Sequence, residues 1–119
     1  MSGRKREHLV ERIRQKLGLL LLREAGDPRF QFVTITEVHL SKDKAHALVR
    51  FSCLQPGADV EALTVSLNGA AGFLGQALGR TLETRSTPRL RFVYDPGFDY
   101  ANEMEILLAK VRIPAEGGP

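Results

Sequence analysis

At 119 residues and 13.2 kDa the chain has room for one domain with a real core and not for two. Its 43% hydrophobic and 26% charged residues exclude a disordered polymer, and its longest apolar run, Leu19 to Leu22, meets Arg23 and Glu24 far short of the roughly 20 residues of a membrane span. The net charge of +3 is concentrated: Arg4, Lys5, Arg6, Arg12, Arg14 and Lys16 lie near the start and Arg80, Arg85, Arg89 and Arg91 lie late, while residues 26 to 59 balance, a distribution that points to a polyanionic partner.

The opening "MSGRKREHLVERIRQKLG" is basic but carries Glu7 and Glu11 and no apolar signal core, so a cytoplasmic protein is expected. From Arg4 to Ala25, Leu9, Ile13, Leu17, Leu20 and Leu21 recur at helical spacing, which predicts one amphipathic helix. Gly26 suits a left-handed residue just past its end, and Pro28 forbids continuation, so Asp27-Pro28-Arg29 reads as a helix-stop turn.

"FQFVTITEVHLSKDKAHALVRFSC" is rich in β-branched residues and predicts a hairpin turning at Ser41 to Lys44. In its second strand Ala45, Ala47, Val49, Phe51 and Cys53 share one face. In the first strand Val33 and Ile35 fall out of phase with Val38 and Leu40, and a β-bulge near Thr36 and Glu37 would bring both pairs inside. Asp59 is a plausible N-cap for a helix running to about Asn68. A second helix is expected from about Gly72 to Leu82, then a strand "LRFVYD", a short helix around Met104 to Lys110, and a frayed end. The order helix, strand, strand, helix, helix, strand predicts a two-layer α+β sandwich with the helices on one face of the sheet. Residues 1–113 are read as one domain and 114–119 as a flexible tail.

"LNGAAGFLGQALGR" carries Gly69, Gly72, Gly75 and Gly79 within a helical pattern, although each glycine costs roughly 1 kcal/mol against alanine there. Leu74, Ala77, Leu78 and Leu82 form the apolar stripe, and Gly72, Gly75 and Gly79 lie away from its centre. Gly69-Ala70-Ala71-Gly72 interrupts the pattern, where glycine would tolerate the backbone angles of a kink. Two readings stand: close approach by a nucleic-acid backbone to the second helix's N-terminus, or tight packing of a helix against a neighbour. A partner protein's helix docked on the strip is the corresponding alternative function.

Taken together, "DPRFQFVTITEVHLSKDKAHALVRFS", "LNGAAGFLGQALGRTL" and "TPRLRFVYDPGFD", behind a basic first helix, make the sequence similar to the bacterial ribosome-binding factor A family. The resemblance covers nearly all of residues 4 to 108. It implies a type II KH-like fold with an Ala-x-Gly kink, and a non-enzymatic assembly factor that binds the immature small ribosomal subunit and its 16S-type rRNA. It further implies a role in late maturation and rRNA 5′-end processing, with particular importance in the cold, no cofactor, no small-molecule substrate, and a monomer off the ribosome. Ala70, Ala71 and Gly72 correspond to the kink, and Arg4, Lys5 and Arg6 to a basic rRNA-facing region. The full set of expected RNA-binding residues adds Arg12, Lys42 and Lys44, then Gln76, Arg80, Arg85 and Arg89. Gly75 and Glu83 stand where the family usually has a basic residue, and Arg80, Arg85 and Arg89 are the cations available to offset that.

Catalytic chemistry finds little support. The single Cys53 excludes an internal disulfide and reads as a buried thiol rather than a nucleophile. A turn centred on Lys42 and Asp43 would set His39 opposite His46 with Glu37 on the same face, a conceivable metal site, although polar residues on the solvent side of a hairpin explain them equally. No nucleophile triad, Walker loop or dinucleotide fingerprint is present. Most of the aromatic residues fit core or edge positions, which favours recognition of RNA shape and backbone over base stacking. Asp95 reads as a strand-terminating residue.

Overall fold

The computed structural model describes residues 3–23, 26–82, 87–97 and 107–108, the side chain of Arg4 excepted. Helix α1 spans Gly3–Arg23, and Gly26 behind it takes a left-handed φ of 76°. A short 3₁₀ turn, Pro28–Phe32, follows. Asp27 does more than stop a helix: its carboxylate accepts from the Arg29 amide at 3.0 Å and so caps this turn, which drives Phe30 into the core.

Strands β1 (Val33–Leu40) and β2 (His46–Cys53) are antiparallel. Helices α2 (Val60–Gly69) and α3 (Ala71–Leu82) then cross to β3 (Arg89–Tyr94), which lies parallel to β2 in the strand order β1-β2-β3. The predicted element order therefore holds, and α1, α2 and α3 pack on one face of the sheet, where Ile13, Leu17, Val49, Phe51, Leu67, Leu74, Leu78 and Phe92 form a fully or almost fully buried core. Leu107 and Leu108 are helical; the rest of the expected terminal helix and the tail at 114–119 lie outside the described residues.

The bulge is where the phase break demands it. Ile35 pairs with Phe51 and Glu37 with Arg50, so Thr36 is the extra residue, and Ile35 and Val38 are both buried. Asp59 caps α2 by accepting from the Ala62 amide at 3.1 Å.

Three expectations are corrected. His39 pairs with Leu48, while His46 lies beside Arg89 of β3, so the two imidazoles do not face each other. The loop turns later than expected because the Lys44 amide donates to the Ser41 carbonyl and Lys44 itself takes a left-handed φ of 61°, adding residues before the ladder starts. The kink is also not a glycine conformation. It sits at Ala70, with φ −90° and ψ −1°, and none of the four glycines between Leu67 and Arg80 has positive φ. The Ala70 amide donates to both the Ser66 and Leu67 carbonyls, and a helical residue carries the bend. Cys53, last in β2, is half-buried rather than buried, because the strand ends there at the margin of the core.

Candidate nucleic-acid interface

What the glycines do follows from what a side chain would meet at each. A Cβ on Gly79 would come within 2.7 Å of the Thr87 methyl, and one on Gly75, which is buried, would lie 4.0 Å from the Pro88 carbonyl oxygen. Gly79 thus admits the segment leading into β3, as in the tight-packing reading, while Gly75 lies against the same segment with room for ordinary contact. A Cβ on Gly72 or Gly69 would meet nothing within 4 Å, so these two lie open. The docking strip imagined for a partner helix is thus half filled by the chain itself.

Where α3 meets that segment, Ala71, Gly72, Gly75 and Gln76 form one wall of a groove and Thr87, Pro88, Arg89 and Leu90 the other. The first turn of α3 lines it, and the amides at a helix start present partial positive charge. Gly72, Gln76 and Arg80 recur at four-residue spacing, which aligns them along one side of the helix, and all three are exposed. The Arg89 amide donates to the Ala45 carbonyl at 2.8 Å, fixing the strand while its side chain stays exposed at the groove's edge.

A second depression shares Thr87, Pro88 and Arg89 and adds Leu9, Leu40, Lys44 and Leu82, so the hairpin loop adjoins the groove. Arg6 stands between α1 and that loop. Its guanidinium donates to the Ser41 carbonyl at 2.9 and 3.3 Å and to the Lys42 carbonyl at 3.5 Å, so this expected RNA ligand is in large part a brace. Arg14 is paired with Glu11, whereas Arg12 is exposed with no ion-pair partner among the described residues. Lys42 is exposed on the loop.

Local acids are held ionised. The Asp43 carboxyl is lowered from its usual range by the Ser41 hydroxyl, donating at 2.7 Å, and by the Ala45 amide at 3.0 Å. The Asp27 carboxyl is lowered by hydrogen bonds from the Arg29 side chain and amide, and Arg29 also donates to Ser66 of α2 at 2.6 Å. The structure thus brings together Ala71, Gly72, Gln76 and Arg89, with Arg80 one turn beyond Gln76 on the same helix side, while Ala70 falls in line with Leu74 and Leu78 and packs against the core. It sets Arg6, Lys42 and Lys44 at the neighbouring loop. The side chain of Arg4 and all of Arg85 lie outside the described residues.

Sequence reasoning missed two exposed aromatics. Phe73 is 46% exposed and Phe32 36%, so these two aromatics stand outside the core. The signal for Phe73 was its position one residue off the Leu74, Ala77, Leu78 stripe. Arg50 and Arg91 alternate with buried Val49 and Phe51, and with Leu90 and Phe92, which puts both arginines on the sheet face away from the helices, Arg91 exposed and Arg50 half-buried. Glu37 and His39 pair with each other at 2.9 Å, and no group of three metal-binding side chains occurs among the described residues.

The family model described as Ribosome-binding factor A matches residues 5–108. A protein of Legionella pneumophila called ribosome-binding factor A is 37% identical over 109 residues, 91% of this chain and 87% of that one. The crystal structure of ribosome-binding factor A from Thermus thermophilus superposes with a TM-score of 0.64 at 28% identity, covering 74% of this chain and 93% of that one. A homology model of the Thermus thermophilus protein, fitted into a cryo-EM map of its complex with the 30S subunit, gives 0.61 at 29% identity, covering 73% of this chain and 91% of that one. The fold shared with these structures is the α+β, KH-like one.

Proposed function

The chain belongs to the ribosome-binding factor A family, and from that premise we propose that it binds the immature small ribosomal subunit through its rRNA and assists late assembly, including rRNA 5′-end processing. It does so in the cytoplasm, as a monomer and by occupancy rather than covalent chemistry. The observation that carries this reading is the groove between the start of α3 and the start of β3, open at Gly72 and edged by Gln76 and Arg89, with the exposed Arg80 one turn further along α3.

Each element has a task. The open helix start lets a ribose-phosphate backbone approach the α3 amides without meeting a side chain. Exposed cations at Arg12, Lys42, Arg80 and Arg89 add affinity by releasing counterions, which positions the protein without reading sequence. Binding then favours one rRNA arrangement to the extent that this surface fits it better than the alternatives. The relationship with a protein whose complex with the 30S subunit has been fitted to a map supports the choice of partner.

The test is co-sedimentation of the full chain with purified small ribosomal subunits across a salt titration. Log affinity should fall with log salt by about 0.7 to 0.9 per phosphate contact. A flat response, or no binding, would overturn the reading.

A further inference from the structure

We propose that the bound RNA strand does not end at the kink groove but passes Arg89 and continues onto the open face of the sheet, where Arg91 and Arg50 hold its phosphates. This rests on the RNA-binding reading above and extends it to a surface on the opposite side of the sheet from the helices.

Continuity comes first. Arg89 lines the kink groove and is also the first residue of β3, with its exposed side chain beside His46 of β2. Arg91 follows on the same face, about 6.6 Å further along the strand. Arg50 pairs with Val93, one strand across and two residues beyond Arg91's own partner Leu48, which sets its Cα roughly 8 Å from that of Arg91. The arginines therefore form a diagonal from the groove mouth across the sheet.

Charge comes second. No carboxylate among the described residues pairs with Arg50, Arg89 or Arg91. The acids on this face are engaged elsewhere. Glu37, opposite Arg50, is bonded to His39, and Asp95, at the far end of β3, accepts from the Thr36 hydroxyl at 3.1 Å. Among the described residues the three helices and the core lie on the other side of the sheet, and on this side only Ser52, beyond Arg50 in β2, is fully buried. Leu48 and Val93 are half-buried beside Arg50, itself half-buried, and the exposed Arg91, and offer apolar floor for arginine stems, whose guanidinium forks suit bidentate phosphate contact. A merely protective role, in which exposed arginines keep a sheet from pairing with other chains, makes a different prediction.

The experiment is the same salt titration with purified small ribosomal subunits, applied to the full-length Arg50→Ala/Arg91→Ala double variant after its thermal unfolding has been matched to the wild type. Two lost contacts should reduce the slope by about 1.4 to 1.8 and weaken binding several-fold, and Arg50→Lys/Arg91→Lys should recover most of the slope. If the double variant folds poorly, Arg91→Gln alone, at an exposed position, should remove half as much. A wild-type slope in the Ala and Gln variants, with Arg80→Ala still weakened, would overturn this path and leave the kink groove standing. Normal binding with increased self-association would overturn it in favour of the protective role. Absence of salt-dependent binding by the wild type would overturn both.

Discussion

Asn68, in the last turn of α2, holds both backbone groups of Phe92 in β3: its side-chain amide donates to the Phe92 carbonyl at 3.0 Å, and its Oδ1 accepts from the Phe92 amide at 2.8 Å. The side chain thus acts as a one-residue extra strand on the outer edge of β3, fastening the kinked helix pair to the sheet and fixing the wall of the groove. Replacing Asn68 with Ala leaves a part-buried donor and acceptor unpaired and should cost about 1–3 kcal/mol in denaturant unfolding. Asn68→Asp should fare no better at neutral pH, because a carboxylate cannot donate to the Phe92 carbonyl.

Gly72 and Gly79 should respond oppositely to alanine. At Gly72 a Cβ meets open space in a helical turn, so Gly72→Ala should be neutral or stabilising by up to about 1 kcal/mol, while a large side chain such as Leu should leave the fold intact and obstruct RNA. Gly79→Ala drives a methyl into the Thr87 side chain and should destabilise, and Thr87→Ser, which deletes the opposing methyl, should return part of the loss. Thermal unfolding of the single and double variants measures both.

Arg6 and Arg12 should separate structural charge from charge proposed to face RNA on one helix. Arg6→Ala removes charge-assisted bonds to the Ser41 carbonyl and should lower stability by about 1–3 kcal/mol. Arg12→Ala should leave unfolding within about 0.5 kcal/mol of the wild type, as expected at an exposed unpaired site, and yet reduce affinity for small subunits.

Asp43 gives an acid signature. Its folded carboxyl titrates below the ordinary value of 3.8, so its contribution is complete at pH values above that figure and is lost as pH falls through the folded value. Wild type should therefore exceed Asp43→Asn in stability at pH 7, and the difference should close on acidification below 3.8. Urea midpoints across that range provide the check.

Features set by a residue and its immediate neighbours were legible without coordinates. Gly26 and Pro28 marked the end of α1, Asp59 the start of α2, and the phase break between Ile35 and Val38 the bulge at Thr36. The hairpin register was not, because it depends on Lys44 adopting a left-handed conformation that its side chain does not advertise. Nor was the division among the glycines. Gly79 is explained by Thr87, which reaches it only once β3 has docked beside β2, whereas a Cβ on the buried Gly75 would make only ordinary contact with Pro88. Arg6 looked like any other cation in a basic helix until Ser41 was seen beside it. For the candidate site, the kink and the exposed cations were readable as types, whereas the groove that gathers Gly72, Gln76 and Arg89 is a product of tertiary packing.

The displaced Thr36 also interrupts the free margin of β1, the outermost strand on its side of the sheet. An intruding extended peptide, including the same segment from another molecule, would find the regular alternation of donors and acceptors broken partway along the strand's eight residues, beside the charged Glu37. Fibril-like growth from this border is thereby obstructed by a single inserted residue. The irregularity that buries the first strand's apolar side chains is the same one that spoils the strand as a template for amyloid.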